Sequence, residues 1–226
     1  MWQSFVDLVY NVLLHLSLWT GSFGLAIILL TIVTRLAMFP LMIKQTKAAA
    51  VMRKIQPKIK KMQEKYKDKP QEMQKRMLEI YKENRANPLG GCLPMLIQFP
   101  VMIALFWVTR DFPERIAENA ELVEQINLIF LGIDLSVADP WMILPILAGI
   151  TTYFQMNMTM SDPSQKTMMM MFPIIMLVIS RTLPAGVVLY WVVGNLFGIG
   201  QQYLTLKRER DNNNDKNDAE GGAAEG

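Results

Sequence analysis

The amino-acid sequence predicts an all-α polytopic membrane protein. We expect five transmembrane helices around a hydrophilic groove open to the cytoplasm, a cytoplasmic helical hairpin, and interfacial helices on the outer side. Three observations lead to this prediction. Several apolar runs are long enough to cross the ~30 Å hydrocarbon core as helices. Strongly basic and acidic segments alternate between these runs, as they do on the two sides of a membrane. The first run, Ser22 to Lys47, carries a strong base, Arg35, near its middle.

Composition excludes several kinds of site. The chain has 226 residues, of which 51% are hydrophobic and 19% are charged, with a formal net charge of +3. A single cysteine, Cys92, rules out a disulfide framework and a cysteine zinc site, and a single histidine, His15, rules out a histidine cluster for a metal. We therefore expect no metal, no cofactor and no catalytic residue. The first residues lack the pattern of a cleavable signal peptide, so we expect that the chain inserts through its own first span or that a processed leader is missing.

The alternation of apolar and polar stretches divides the chain into ten predicted segments. They are an outer interfacial amphipathic helix (1–20), a first span (22–43), a cytoplasmic helical hairpin (44–88), a second span (91–109), an extracellular loop with an interfacial helix (110–139), a third span (140–158), a short cytoplasmic loop (159–165), a fourth span (166–180), a fifth span (185–206) and a disordered cytoplasmic tail (207–226). This order places the amino terminus outside the cell and the carboxy terminus in the cytoplasm.

Charge sets the predicted orientation. Basic side chains far outnumber acidic ones between Lys44 and Arg85, which marks the cytoplasmic side, and the bias reverses over residues 110–139. Apolar residues recur at helical spacing on both sides of the break at Lys67–Pro70, which predicts two amphipathic helices folded as an antiparallel hairpin. A merely solvated basic loop is the alternative.

The first twenty residues combine an apolar composition with a polar stripe. Asp7, Asn11 and His15 recur every four residues and therefore lie on one side of a helix. Trp2 and Trp19 are typical of the membrane–water boundary. The pattern predicts an interfacial helix that lies among the headgroups.

Arg35 needs an explanation at its predicted depth. A lone arginine near the centre of a span costs about 2.5–3.5 kcal/mol on insertion scales. Arg35 could be a structural tie to a carboxylate or to carbonyl groups, or it could face a wet cavity and meet an external anion. No predicted span contains an Asp or Glu that could pair with it, which favours the second interpretation.

The other polar residues of the spans share a location. They lie in the predicted cytoplasmic halves, whereas the outer halves of spans one, two, three and five are mostly apolar. This distribution predicts a water-filled vestibule that is open to the cytoplasm and closed on the outer side. Each amide taken alone could instead form an ordinary hydrogen bond to a neighbouring helix. The candidate groove and substrate-binding residues are Arg35, Thr31, Gln98, Gln155, Trp191, Asn195 and Gln202.

Four stretches resemble the YidC-type membrane protein insertases and their mitochondrial and chloroplast Oxa and Alb relatives. They are residues 24–47 (GLAIILLTIVTRLAMFPLMIKQTK), 87–107 (NPLGGCLPMLIQFPVMIALFW), 139–149 (DPWMILPILAG) and 183–204 (LPAGVVLYWVVGNLFGIGQQYL). The predicted five-span form looks like the Gram-positive bacterial kind. The likeness covers most of the chain.

The resemblance implies a non-enzymatic chaperone that inserts and folds integral membrane proteins in the bacterial cytoplasmic membrane. The groove arginine of the family falls on Arg35, its groove glutamines on Gln98 and Gln155, and its last-span aromatic and amide residues on Trp191 and Asn195. The implied partners are nascent integral membrane proteins and the lipid bilayer, and also the Sec translocon, the ribosome and targeting factors. The resemblance further implies a functional monomer with no direct nucleic-acid function.

The sequence departs from the family in two places. Gram-positive members usually begin with a lipoprotein signal, which this chain does not show. Some members bind ribosomes through a long basic tail, whereas here only Lys207, Arg208 and Arg210 precede an acidic run.

We expect an acidic extracellular segment of a client protein to enter the vestibule, attracted by Arg35, and its apolar segment to move into lipid along spans three and five. An intramembrane protease would need an Asp pair, a Ser–His pair or zinc ligands in the spans, and the sequence offers none. The alternative function, a small-solute transporter or channel, would need polar residues through the outer half.

Overall fold

Helices make up most of the computed structural model, which describes residues 1–84, 86, 93–159 and 166–222. The helices are α1 (Trp2–Thr20), α2 (Phe23–Ala37), α3 (Phe39–Lys65), α4 (Pro70–Glu83), α5 (Leu93–Ala117), α6 (Ala120–Gln125), α7 (Ile143–Thr159), α8 (Lys166–Ser180) and α9 (Ala185–Gly222). Two short antiparallel strands, β1 (Ile129–Phe130) and β2 (Ile133–Asp134), lie between α6 and α7. The predicted fold is confirmed in being mostly helical. The described residues leave out the end of the predicted hairpin (87–88), the start of the predicted second span (91–92), residues 160–165 of the predicted loop and residues 223–226 of the predicted tail.

The predicted first span is bent rather than straight. α2 ends at Ala37, and α3 begins at Phe39 at an angle of 60° to α2. Pro40 lies in the first turn of α3, where its missing N–H needs no partner. It could not continue α2, because its ring would clash with the carbonyl group four residues earlier. The bend places Arg35 in the last turn of α2 instead of the middle of a long helix.

No single helix in the described ranges is both long and apolar enough to cross a membrane alone, while α2 and residues 39–52 of α3 reach the required length and composition as a bent pair.

The main core joins α1, α2, α5 and α9. Leu13, Phe23, Leu105 and Val188 are almost completely buried there. The ring of Phe23 stacks on that of Phe112, with centroids 4.2 Å apart. Burial of this apolar surface holds the four helices together.

A polar contact joins α1 to α5 at the edge of the core. Arg115 of α5 approaches Asp7 at 3.4 Å, and its guanidinium lies 4.7 Å from the ring centroid of Tyr10. Burial raises the pKa of Tyr10, and the charge of Arg115 opposes this rise. Asn11 and His15 of the predicted polar stripe are exposed.

The basic hairpin formed by α3 and α4 has a small core of its own. Ile55, Ile59 and Met62 of α3 are buried and are not part of the main core. α3 packs against α4, and the two helices lie on either side of the predicted break at Lys67–Pro70. The hairpin is therefore distinct in its packing from the rest of the bundle.

The segment after α5 differs from the prediction. α5 continues beyond the predicted end at residue 109 to Ala117, because Phe112 and Ile116 are buried in the core. The sequence predicted an interfacial helix within the loop at 110–139; the structure has the short helix α6, which ends at Gln125, and a β-hairpin after it. The turn of this hairpin has positive φ at Leu131 (53°) and Gly132 (82°), as type I′ turns require. We call residues 126–142 the capping loop.

The end of the chain also differs. A disordered tail was predicted from residue 207, whereas α9 continues to Gly222. No proline or glycine interrupts the sequence between Gln201 and Glu220, so nothing in it forces the helix to stop.

Candidate functional site

The side chain of Arg35 lies directly on α9. Its guanidinium is so close to the backbone of Gly194 that a Cβ atom there would overlap Nη2 and lie 3.1 Å from Nε. Nε is buried without a hydrogen-bond partner, and none of the ion pairs in the described part of the chain involves Arg35. The last carbonyl groups of α2 give this helix end a partial negative charge that favours a cation. Arg35 thus lies in the last turn of a helix and has no carboxylate partner in the described part of the chain.

Thr31, one turn before Arg35, belongs to the packing of α2. Its side chain is fully buried, and its hydroxyl donates to the carbonyl of Ile27 at 2.6 Å. In this structure the side chain of Thr31 is therefore not accessible to a segment of another protein.

Three predicted groove residues meet where α7 packs against α9. Trp191 Nε1 donates to the hydroxyl of Thr152 at 2.9 Å. The amide of Asn195 lies 2.9 Å from the same hydroxyl and 3.1 Å from that of Thr151. When the oxygen of this amide faces the hydroxyls, its nitrogen donates to Oε1 of Gln155. Gln155, Trp191 and Asn195 are therefore parts of one polar network between two helices.

Two glycines of α9 make room for the long polar side chains. Gly194 and Gly198 are four residues apart, the spacing by which small residues allow close approach between helices. Gly194 accommodates Arg35, and a Cβ at Gly198 would come within 2.6 Å of Nε2 of Gln155.

Gln98 and Gln202 also form side-chain hydrogen bonds to neighbouring helices. Gln98 of α5 donates to the hydroxyl of Tyr190, which is 1% exposed. Gln202 donates to the carbonyl of Met158 near the end of α7. The side chain beside it, Gln201, is also buried, yet neither its Nε2 nor its Oε1 has a partner.

The capping loop covers the end of the bundle where α9 begins. The N–H groups of Ala185 and Gly186 donate to the carbonyls of Val137 and Leu135 at 2.7 and 2.9 Å. Leu135 is fully buried, and the ring of Phe130 lies against Gly24 of α2. Backbone hydrogen bonds and apolar packing close this end.

Asp139 of the capping loop fixes the start of α7. Its carboxylate accepts from the N–H of Trp141 at 2.9 Å and from that of Leu144 at 2.8 Å. The carboxylate therefore satisfies N–H groups that the first turn of a helix leaves unpaired.

An apolar crevice of about 170 Å³ separates α5 from α8, with α9 as its floor. Phe99 and Met102 line the α5 side, Ile175 and Ile179 the α8 side, and Trp191 reaches the floor from the polar network. The crevice therefore adjoins that network at Trp191.

The sequence did not single out several residues of this site. The hydroxyl groups of Thr151 and Thr152 form hydrogen bonds with the side-chain amide of Asn195. The hydroxyl of Tyr190 accepts a hydrogen bond from Gln98. Gly194 and Gly198 leave room for the side chains of Arg35 and Gln155. The glycine spacing and the Thr151–Thr152 pair were visible in the sequence, but their partners depend on how α2, α7 and α9 pack.

The family model described as "60Kd inner membrane protein" matches residues 15–213. The chain belongs to this family. Two curated relatives, from Francisella tularensis subsp. novicida (strain U112) and subsp. tularensis (strain WY96-3418), are both named membrane protein insertase YidC. Each is 41% identical over 209 residues, which cover 92% of this chain and 36% of the relative. The chain thus spans little more than a third of the length of these relatives, and the Gram-positive five-span form stays a prediction.

A solved structure agrees with this membership. The crystal structure of active YidC insertase with its first transmembrane domain resolved has a TM-score of 0.71 and 31% sequence identity. The match covers 89% of this chain and 46% of that one.

Proposed function

We propose that this chain acts as a membrane protein insertase and chaperone, which captures segments of client proteins in a groove lined by Arg35. The single observation that carries the proposal is a mostly buried arginine with no carboxylate partner in the described part of the chain. The names of the relatives support the same function.

Capture is electrostatic. An acidic segment of the client enters beside α2 and α9, where attraction between opposite charges is stronger than in bulk water. Gly194 leaves room for the guanidinium against α9, which places the charge at this position of the groove. The membrane potential adds about 2.3 kcal/mol per charge per 100 mV for acidic groups that move outward.

Release of the apolar segment follows the crevice between α5 and α8. The sequence predicted that the apolar segment moves into lipid along spans three and five, which correspond to α7 and α9. These two helices are joined to each other by the network of Trp191, Asn195 and Thr152. The crevice lined by Phe99 and Ile175 offers an apolar surface next to that network.

The proposed orientation has α2 with the start of α3, α5, α7, α8 and α9 as five spans, with the amino terminus outside and the carboxy terminus in the cytoplasm. The capping loop then closes the outer side, and the basic hairpin faces the cytoplasm. The closed end argues against the alternative of a small-solute transporter or channel. The protein works without enzymatic chemistry, as a monomer, alone or beside the Sec translocon, and receives clients from the ribosome or targeting factors.

The test is insertion into vesicles that contain this protein alone. A small client with an acidic tail is synthesised in their presence, and protection of the tail from external protease is measured. We expect protection with the protein and none with empty vesicles. Equal protection in both would refute the proposal, and steady ion or solute flux through the protein would favour the alternative.

A further inference from the structure

Gln201 carries a buried side-chain amide without a hydrogen-bond partner in the described part of the chain. The residue is 7% exposed, and both Nε2 and Oε1 lack a hydrogen-bond partner. Buried polar atoms are almost always paired, because an unpaired one loses its bonds to water without replacement. The neighbouring Gln202 is buried to a similar extent, 8% exposed, but donates to the carbonyl of Met158. Of these two adjacent glutamines, only Gln202 therefore donates a hydrogen bond through its side-chain amide nitrogen.

The position of Gln201 on α9 relates it to Arg35. Gln201 follows Gly194 by seven residues, which is two helical turns, so both lie on the same side of α9 about 10 Å apart. Gly194 is the residue on which the guanidinium of Arg35 rests. The stripe that contains Trp191, Asn195 and Gln202 faces α7 instead. Gln201 is therefore on the Arg35 side of the helix.

The chemistry of the unpaired atoms indicates what they would bind. An amide offers N–H donors and a carbonyl acceptor, the same pair of groups that a peptide bond offers in reverse. A carboxylate would satisfy only the donors of Gln201. The backbone of a client segment supplies both groups at almost every residue, whatever the side chains of that segment are.

We propose that Gln201 is a second substrate-contact residue, which pairs with a peptide group of the client backbone as the client passes Arg35. This inference rests on the proposed insertase function. Arg35 responds to the charge of the client, whereas Gln201 acts on any sequence because every residue but proline carries both backbone groups. The contact satisfies a backbone group of the client that would otherwise be unpaired in an apolar setting.

The first test separates stability from activity. Gln201→Leu removes the unpaired amide, so the unfolding midpoint in detergent should rise, while insertion should fall about two- to tenfold, the value of one neutral hydrogen bond. The defect should be equal for a client with an acidic tail and for the same client with Asn and Gln in that tail. Gln202→Leu should lower the midpoint, and Tyr203→Leu, at a position 63% exposed, should change neither quantity. Wild-type insertion by Gln201→Leu, or a lowered midpoint in this variant, would overturn the inference.

The second test does not depend on the stability of a leucine variant. A photoreactive amino acid at position 201 should crosslink to an arrested client chain, and one at position 203 should not. Absence of the crosslink at 201, in vesicles where the wild-type protein inserts the client, refutes the contact and leaves the insertase proposal standing. Failure of the wild-type protein to insert refutes the proposed function itself.

Discussion

The guanidinium of Arg35 occupies the space that a methyl group on Gly194 would fill. In Gly194→Ala the new Cβ would overlap Nη2, so the arginine must move away from α9. Because the displaced group is the end of a flexible side chain, we expect the protein to stay folded and insertion to fall toward the level of Arg35→Ala. Insertion into vesicles and the unfolding midpoint in detergent measure the two effects.

A matched control is available two turns away. Gly200 has nothing within 4 Å of its Cβ position. Gly200→Ala should therefore keep insertion unchanged and add up to about 1 kcal/mol of helix stability. The double variant Gly194→Ala/Arg35→Ala should be no worse than Arg35→Ala, and additive losses would contradict a shared mechanism.

Arg35 itself should act through its charge. Arg35→Lys should keep much of the insertion activity, because an ammonium also attracts carboxylates. Arg35→Ala should lose most activity toward clients with acidic tails yet stay folded, since no described carboxylate is left unpaired. The measurement compares one client with its acidic tail and with Asn and Gln in that tail. A defect of the same size for both tails would contradict the electrostatic capture step.

Water in the groove can be detected by labelling. In a Cys92→Ser background, Gln98→Cys should react with a membrane-impermeant maleimide added from the cytoplasmic side. Ile175→Cys is the control, because Ile175 is 43% exposed but lines the apolar crevice. It should not react, because a thiol in apolar surroundings stays protonated and only the thiolate attacks the maleimide. Equal protection of position 98 would mean that no wet groove reaches it.

We expect the basic hairpin to be needed for insertion of clients but not for folding of the bundle. Its buried residues are separate from the main core, so deletion of residues 58–85 should leave the unfolding midpoint of the bundle nearly unchanged and reduce insertion. A charge-only variant with Gln at Lys54, Lys58, Lys61 and Lys65, an exposed stripe of α3, should show the same reduction. Loss of the folded state on deletion would show instead that the hairpin supports the core.

Sequence alone determined the mostly helical fold, the segregation of charge and the candidate groove residues. Apolar runs and helical spacing are local properties, and the absence of an acid from every predicted span could be read directly around Arg35. Composition also excluded cysteine and histidine metal sites. These conclusions need no knowledge of which helices touch.

Tertiary structure decided the rest. Pro40 showed that a break was possible, but only the packing of α2 and α3 set its angle of 60° and placed Arg35 at a helix end. The two neighbouring glutamines have different environments, since the side-chain amide of Gln202 donates to Met158 whereas that of Gln201 has no partner in the described part of the chain. The apolar crevice brings together residues of α5 and α8, and the polar network brings together residues of α7 and α9. Contacts of this kind join residues dozens of positions apart, and no local pattern specifies them because they depend on the relative placement of whole helices.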